Sequence, residues 1–187
     1  MAREFELKYA AAPEILQQIR GQFGDFSMIL METIYYDTPQ RTLSAQKMTL
    51  RLRQENDISV CTLKTPLPDG SRGEWECEAP SITAGLEKLI LMGAPVIVHA
   101  VEPVCGARFT RLCKHIPTGE SSAELALDEG ILLGGGKELP LCEVEVEHKS
   151  GAESATAAFA KTLAAQYGLR EESMSKFQRA ASLAEGE

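Results

Sequence analysis

Aromatic residues are scarce in this chain, at 6% with a single tryptophan, and 15 glycines and 9 prolines in 187 residues are too few for a collagenous, mucin-like or broadly disordered protein. Long hydrophobic runs are missing as well. The most apolar stretch, residues 89–101, is interrupted by Gly93, Pro95 and His99, and the N terminus turns charged at Arg3 and Glu4, so neither a membrane span nor a signal peptide is expected. The five cysteines, Cys61, Cys77, Cys105, Cys113 and Cys142, contain no Cys-x-x-Cys pair and are odd in number, which predicts neither a disulfide framework nor a cysteine zinc site. A reducing cytoplasm is the expected compartment. Positive charge is also in deficit: 19 Lys and Arg against 27 Asp and Glu leave a net charge of -8, which disfavours nonspecific nucleic-acid binding but can conceal a local basic patch. What is present, 44% hydrophobic and 25% charged residues without repeat or linker, predicts a single domain spanning 1–187.

Alternation dominates the chain. Glu4-Phe5-Glu6-Leu7-Lys8-Tyr9 switches between charged and apolar residues with period two, the mark of a strand with one polar face. The pattern returns in Leu50-Arg51-Leu52-Arg53, Thr62-Leu63-Lys64, Glu74-Trp75-Glu76-Cys77-Glu78, Glu124-Leu125-Ala126-Leu127-Asp128 and Glu143-Val144-Glu145-Val146-Glu147. With 32–37 and 107–116 added, about eight strands result. Asn56-Asp57, Asp69-Gly70-Ser71 and Pro117-Thr118-Gly119 supply turns, and Gly134-Gly135-Gly136-Lys137 reads as a hairpin loop because it lacks the Lys-Ser/Thr ending of a phosphate-binding loop. Helical spacing appears over 13–22, 83–92 and 153–167, with Pro13 in a first turn, Ser81 as a cap and Gly168 as a stop. The expected class is α+β with antiparallel strands.

Side chains on a strand alternate faces, so the charged residues gather on one side of the sheet and Trp75, Cys77, Leu125, Leu127, Cys142, Val144 and Val146 on the other. An ordinary solvated face would mix signs. Here whole strands are acidic, as in Glu74/Glu76/Glu78 and Glu143/Glu145/Glu147, and others basic, as in Arg51/Arg53 and Arg108/Arg111/Lys114. Like charges repel more strongly where water is limited, so such clusters require counterions. Curling the sheet with its charged face inward gives a β-barrel with a polar lumen and helices packed outside. Carboxylates two apart offer the oxygen ligands that Mg²⁺ or Mn²⁺ takes, and converging Arg and Lys offer donors to a polyanion, a combination suited to phosphoryl transfer.

The motifs resemble the CYTH domains of the triphosphate tunnel metalloenzyme superfamily. In family order they are Glu4-x-Glu6-x-Lys8, Tyr35-Tyr36-Asp37-Thr38, Leu50-Arg51-Leu52-Arg53, Thr62-Leu63-Lys64, Glu74-Trp75-Glu76, Phe109-Thr110-Arg111, Leu125-Ala126-Leu127-Asp128-Glu129-Gly130, Glu143-Val144-Glu145 and Ser175-Lys176. The resemblance implies an eight-stranded antiparallel tunnel that binds a triphosphate with divalent metal. It assigns Glu4, Glu6, Asp128, Glu143 and Glu145 to the metal, and Lys8, Arg51, Arg53, Lys64, Arg111 and Lys176 to the phosphates. Lys64, Glu4, Glu6 and Glu145 are the expected catalytic set. Glu74, Glu76 and Glu124 share the inward parity, whereas Arg108, three residues from Arg111, falls on the other face of a regular strand.

The remaining chemistry-bearing residues have plainer readings. Asp37 before Thr38-Pro39 is expected to build a turn, His99, His115 and His148 lack ligand spacing, and Cys77 and Cys142 have the parity of packed thiols. Family members include inorganic triphosphatases, thiamine triphosphatases, class IV adenylate cyclases and RNA triphosphatases. With Trp75 outward and the assignable inward positions charged or small, inorganic tripolyphosphate is the expected substrate, and the strands around Arg111 and Asp128 resemble the bacterial inorganic triphosphatases. An adenylate cyclase, a thiamine triphosphatase and a noncatalytic polyphosphate-binding module are the alternatives. Some relatives continue into a helical CHAD domain, absent from this chain, and a homodimer is left open.

Overall fold

The computed structural model describes residues 2–69, 71–96 and 100–185. His99 and the central glycine of the Asp69-Gly70-Ser71 turn lie outside the described residues. A continuous antiparallel sheet dominates, built from β1 (Ala2–Glu4), β2 (Glu6–Ala10), β3 (Ser27–Asp37), β4 (Thr49–Glu55), β5 (Ile58–Pro66), β6 (Arg72–Glu78), β7 (Glu102–Thr118), β8 (Ser121–Gly134), β9 (Lys137–Ser150) and β10 (Arg170–Glu171). The spatial order is β1-β6-β5-β4-β3-β7-β8-β9-β2-β10.

β1 and β2 stand at opposite ends of that order although only Phe5 separates them in the chain. β1 pairs with β6, placing Glu4 opposite Arg72, and β2 pairs with β9, placing Lys8 opposite Glu145. The N-terminal segment therefore bridges the two edges of the curled sheet. Counted as one strand, it makes the eight of a tunnel, with β10 an addition beside β2. This pairing covers Arg72–Glu74 of one edge strand and Glu143–Glu147 of the other, hydrogen-bonding rows that an unbridged sheet would leave open.

The outer, apolar face is covered in two places. Leu16 and Ile19 of α1 (Pro13–Phe23) and Ala160 and Leu163 of α4 (Glu153–Tyr167) pack on Tyr9, Leu125, Leu127, Val144 and Val146. Leu89 of α3 (Ile82–Leu91) packs on Leu50, Cys61 and Leu63, joined by Leu43 of the short α2 (Thr42–Ala45). Each fully buried Leu or Val contributes about 2 kcal/mol of transfer free energy. Expected local signals operate: Pro13 opens α1, the Ser81 side chain accepts from Ala84 N–H, and Gly168 ends α4 in the left-handed conformation. Asp37 is fully buried and accepts from Thr38, Leu43 and Ser44 N–H, holding the turn into α2. No helix among the described residues is long and apolar enough to cross a membrane.

The fifth helix, α5 (Lys176–Glu185), is absent from the sequence expectation and is placed differently. Its Ala180 and Leu183 pack with Met31, Ala107, Phe109, Leu132 and Leu141, which have the inward parity of Arg111, Asp128 and Glu143. So α5 occupies one end of the lumen while the three expected helices lie outside. Gly135 and Gly136 form the β8–β9 turn with φ of 57° and 75°, and a Cβ on Gly134 would overlap the Ala180 carbonyl oxygen. The hairpin glycines thus also make room for the helix.

Candidate active site

The lumen holds a cavity of about 450 Å³. Glu4, Glu6, Lys8, Arg51, Arg53, Lys64, Arg111, Glu145 and Lys176 all line it. Asp128 and Glu143 lie behind its wall, both completely buried. Inward parity also brings Glu74, Glu76 and Glu124 to the cavity. Arg108 is exposed on the outer face.

Strand register explains the grouping. Arg111 on β7 faces Asp128 on β8, and Asp128 faces Glu143 on β9. The Arg111 guanidinium donates to both Asp128 oxygens, at 2.7 and 2.6 Å, and also to Glu145. From the start of α5, Lys176 Nζ reaches Glu143 and Glu145 at 2.7 Å each and Asp128 at 2.8 Å. Arg179, one helical turn on, pairs with Glu143. Across the lumen, Lys64 pairs with Glu4 and lies 3.6 Å from Glu74, whose other neighbour is Arg51 at 3.8 Å. Arg53 donates to Thr33 Oγ1 at 3.2 Å and to Glu55 at 3.4 Å.

These pairings set the proton affinities. Burial would raise the Glu145 carboxyl, but Lys176 and Arg111 outweigh it and hold Glu145 well below the usual range. Burial likewise opposes the charge on Lys176 and Arg111, and the surrounding carboxylates reverse that effect and raise both. Glu143 is pushed up to about 7 by burial, with Glu145 adding to the rise and Lys176 opposing it. Arg53 falls to about 10 through burial next to Arg51 and Arg111. Glu6 differs from the other carboxylates. It has no ion pair or hydrogen bond among the described residues, and burial, then Glu145 and Glu4, push it up to about 7 against the pull of Lys64 and Lys8.

A divalent cation fits this donor set. One oxygen each of Asp128, Glu143 and Glu145 lies within 4.8 Å of the others, and the uncompensated Glu6 carboxylate borders the same cavity near Glu4 and Glu145. Carboxylate oxygens are the ligands that Mg²⁺ and Mn²⁺ accept. Asp128, Glu143 and Glu145 are also held by Arg111, Lys176 and Arg179, which leaves Glu6 as the acid with most to gain from a metal.

Three cations of the site are additional to those expected from the sequence: Arg72 and Lys149 line the cavity and Arg179 pairs with Glu143 behind it. Arg72 shares the parity of Glu74 and Glu76, and Lys149 that of Glu145 and Glu147, so alternation alone could have found both. Arg179 required recognition of α5, on which it lies three residues after Lys176. The expectation of only charged or small inward residues is corrected: Ile29, Met31, Tyr35 and Phe177 also line the cavity, and the Tyr35 and Phe177 rings meet at 5.3 Å. β3 is apolar on both faces, which hid its alternation. Trp75 does pack outside. Thiol chemistry has no support, because burial pushes Cys61 up to about 12 and Cys142 up to about 11. His148 Nδ1 lies 3.0 Å from Thr156 Oγ1, and His115 is exposed.

Known proteins share this architecture. The sequence model of the CYTH domain matches residues 2–181. An inorganic triphosphatase of Haemophilus influenzae is 29% identical over 96% of this chain, which spans about half (54%) of that relative's length. Among solved structures, the PH1819 protein of Pyrococcus horikoshii is 25% identical with a TM-score of 0.68, covering 96% of this chain and 99% of its own. The HpAC1 protein of Hippeastrum, described as having a dominant triphosphatase activity, also superposes with a TM-score of 0.68 at 19% identity, over 97% of this chain and 96% of its own.

Proposed function

The chain belongs to the CYTH domain family, and from that premise we propose that it hydrolyses inorganic triphosphate to pyrophosphate and phosphate with Mg²⁺ or Mn²⁺. The observation that carries this reading is one cavity lined by Lys8, Arg51, Arg53, Lys64, Arg111 and Lys176 on the basic side and by Glu4, Glu6 and Glu145 on the acidic side. A cavity of about 450 Å³ with this many donors suits a compact polyanion.

In this reading Lys8, Arg51, Arg53 and Arg111 donate to phosphate oxygens and fix the chain of phosphates along the lumen. Lys64, held by Glu4 and Glu74, supplies charge where negative charge develops on the leaving pyrophosphate. Glu4, Glu6, Asp128, Glu143 and Glu145 hold the metal, which when bound neutralises phosphate charge and favours attack by water. Lys176 and Arg179 keep Glu143 and Glu145 oriented. The positioned guanidinium and ammonium groups need little rearrangement as the reaction proceeds, because strand pairing already fixes them.

Phosphate release from tripolyphosphate, ATP and thiamine triphosphate, each with Mg²⁺, Mn²⁺ or chelator, tests the proposal. Fast metal-dependent release from tripolyphosphate alone is the expected result. One observation favours a second reading: Tyr35 and Phe177 give the cavity an aromatic wall that an organic ring could use. Cyclic AMP formed from ATP would establish a cyclase, and tight binding of tripolyphosphate without turnover a polyphosphate-binding module. Five free thiols are suited to the reducing cytoplasm in which we place the protein.

A further inference from the structure

Part of the outer sheet face lies between the two helix layers and is covered by neither. α1 and α4 pack on one side and α3 on the other, while α5 lies in the lumen. On the bare face β3 presents Met28, Leu30 and Ile34, which are 63, 57 and 40% exposed. Register extends this face across two more strands. Leu30 lies opposite Thr110, which faces Glu129, and Glu32 lies opposite Arg108, which faces Ile131. Leu30, Arg108, Thr110, Glu129 and Ile131 line a groove of about 950 Å³.

Single exposed apolar residues are ordinary, but three along one strand beside a groove mark an interaction face. Its charges are arranged in a particular way. Arg108 on β7 lies opposite Glu32 on β3 and diagonal to Glu129 on β8, which faces Thr110 two residues along, and it forms no ion pair among the described residues. We propose that this face is the contact between two copies of the chain related by a two-fold axis. An axis near Thr110 sets Arg108 of each copy against Glu129 of the other and lays the two Met28–Leu30 stripes together. The face is then its own complement, as a two-fold contact requires. One base and two acids beside an apolar stripe carry too little charge of one sign to select a polyion, which favours a second copy over nucleic acid.

Sedimentation equilibrium of the full chain tests this directly. The mass should rise with concentration from 20.4 kDa to twice that value. Leu30→Asp and Arg108→Glu should each raise the dimer dissociation constant by about tenfold or more. Glu129→Arg should do the same, because either charge reversal sets like charges against each other at both crossings. Mixing R108E with E129R restores opposite signs at both crossings, so the two variants should form a heterodimer at concentrations where each alone stays monomeric. Circular dichroism identifies any variant that fails to fold, and the mixing experiment then rests on the two exposed charge reversals. A wild-type mass of 20.4 kDa at every concentration, or a mixture that stays monomeric, would overturn the proposal. Neither outcome depends on phosphatase activity.

Discussion

Replacing Glu6 by Gln should stabilise the protein while removing the metal-dependent triphosphate hydrolysis proposed above. The Glu6 carboxyl rises from 4.5 to about 7, through burial first and then through Glu145 and Glu4. A folded-state value above the unfolded one means that the native protein holds the proton more tightly. Its contribution is fully favourable below about pH 4.5 and is lost as pH rises through about 7. Two and a half units correspond to a ceiling of about 3 kcal/mol, since one unit is about 1.4 kcal/mol. Glu6 borders the cavity, where solvent screens it, so about 1–2 kcal/mol is the expected gain at pH 8. Gln keeps the shape of the protonated acid and cannot ionise. Urea unfolding of wild type and E6Q at pH 5 and pH 8, without divalent metal, should show near-equal stability at the lower pH and a more stable variant at the higher. Adding Mg²⁺ should stabilise wild type more than E6Q, and phosphate release by the variant should vanish. Equal or lower stability of E6Q at pH 8 would refute the electrostatic reasoning, and retained turnover would remove Glu6 from the site.

Other perturbations test other parts of the structure. Lys176→Met leaves Asp128, Glu143 and Glu145 with one cation fewer and should cost about 3–5 kcal/mol at pH 8, read by thermal unfolding; the loss should shrink at pH 6, where Glu143 takes up a proton. Lys64→Ala should lower tripolyphosphate affinity and turnover together, measured by calorimetry and phosphate release, and an unchanged rate would remove Lys64 from the chemistry. Gly134→Val should push α5 away from the β8–β9 hairpin, cost about 1–3 kcal/mol, and speed hydrogen exchange in α5 before that in α4.

Strand parity was the most legible property of the chain. Glu4, Glu6, Arg51, Arg53, Glu74, Arg111, Glu143 and Glu145 share the inner face because alternation is a local consequence of the extended backbone. The apolar partners Leu63, Leu125, Val144 and Val146 are correspondingly buried under helices. Where a strand lacks contrast the signal fails: β3 is apolar on both faces, so its length, its exposed stripe and the inward Tyr35 were hidden. α5 was hidden for a different reason. Phe177, Ala180 and Leu183 do recur at helical spacing, but that face meets the lumen side of the sheet, in space left by Gly134 and by the inner faces of β7, β8 and β9, and not the apolar outer face.

The sequence by itself determined which side chains face the same way, a property that each strand settles within a few residues. Only the tertiary structure decided which of those side chains meet. The pairing of β1 with β6 and of β2 with β9 bridges the sheet edges, the register of β7, β8 and β9 brings Arg111, Asp128 and Glu143 side by side, and the entry of α5 adds Lys176 and Arg179. Those contacts join residues far apart in the chain, and in a buried, weakly screened space it is such neighbours that set the charge of each group.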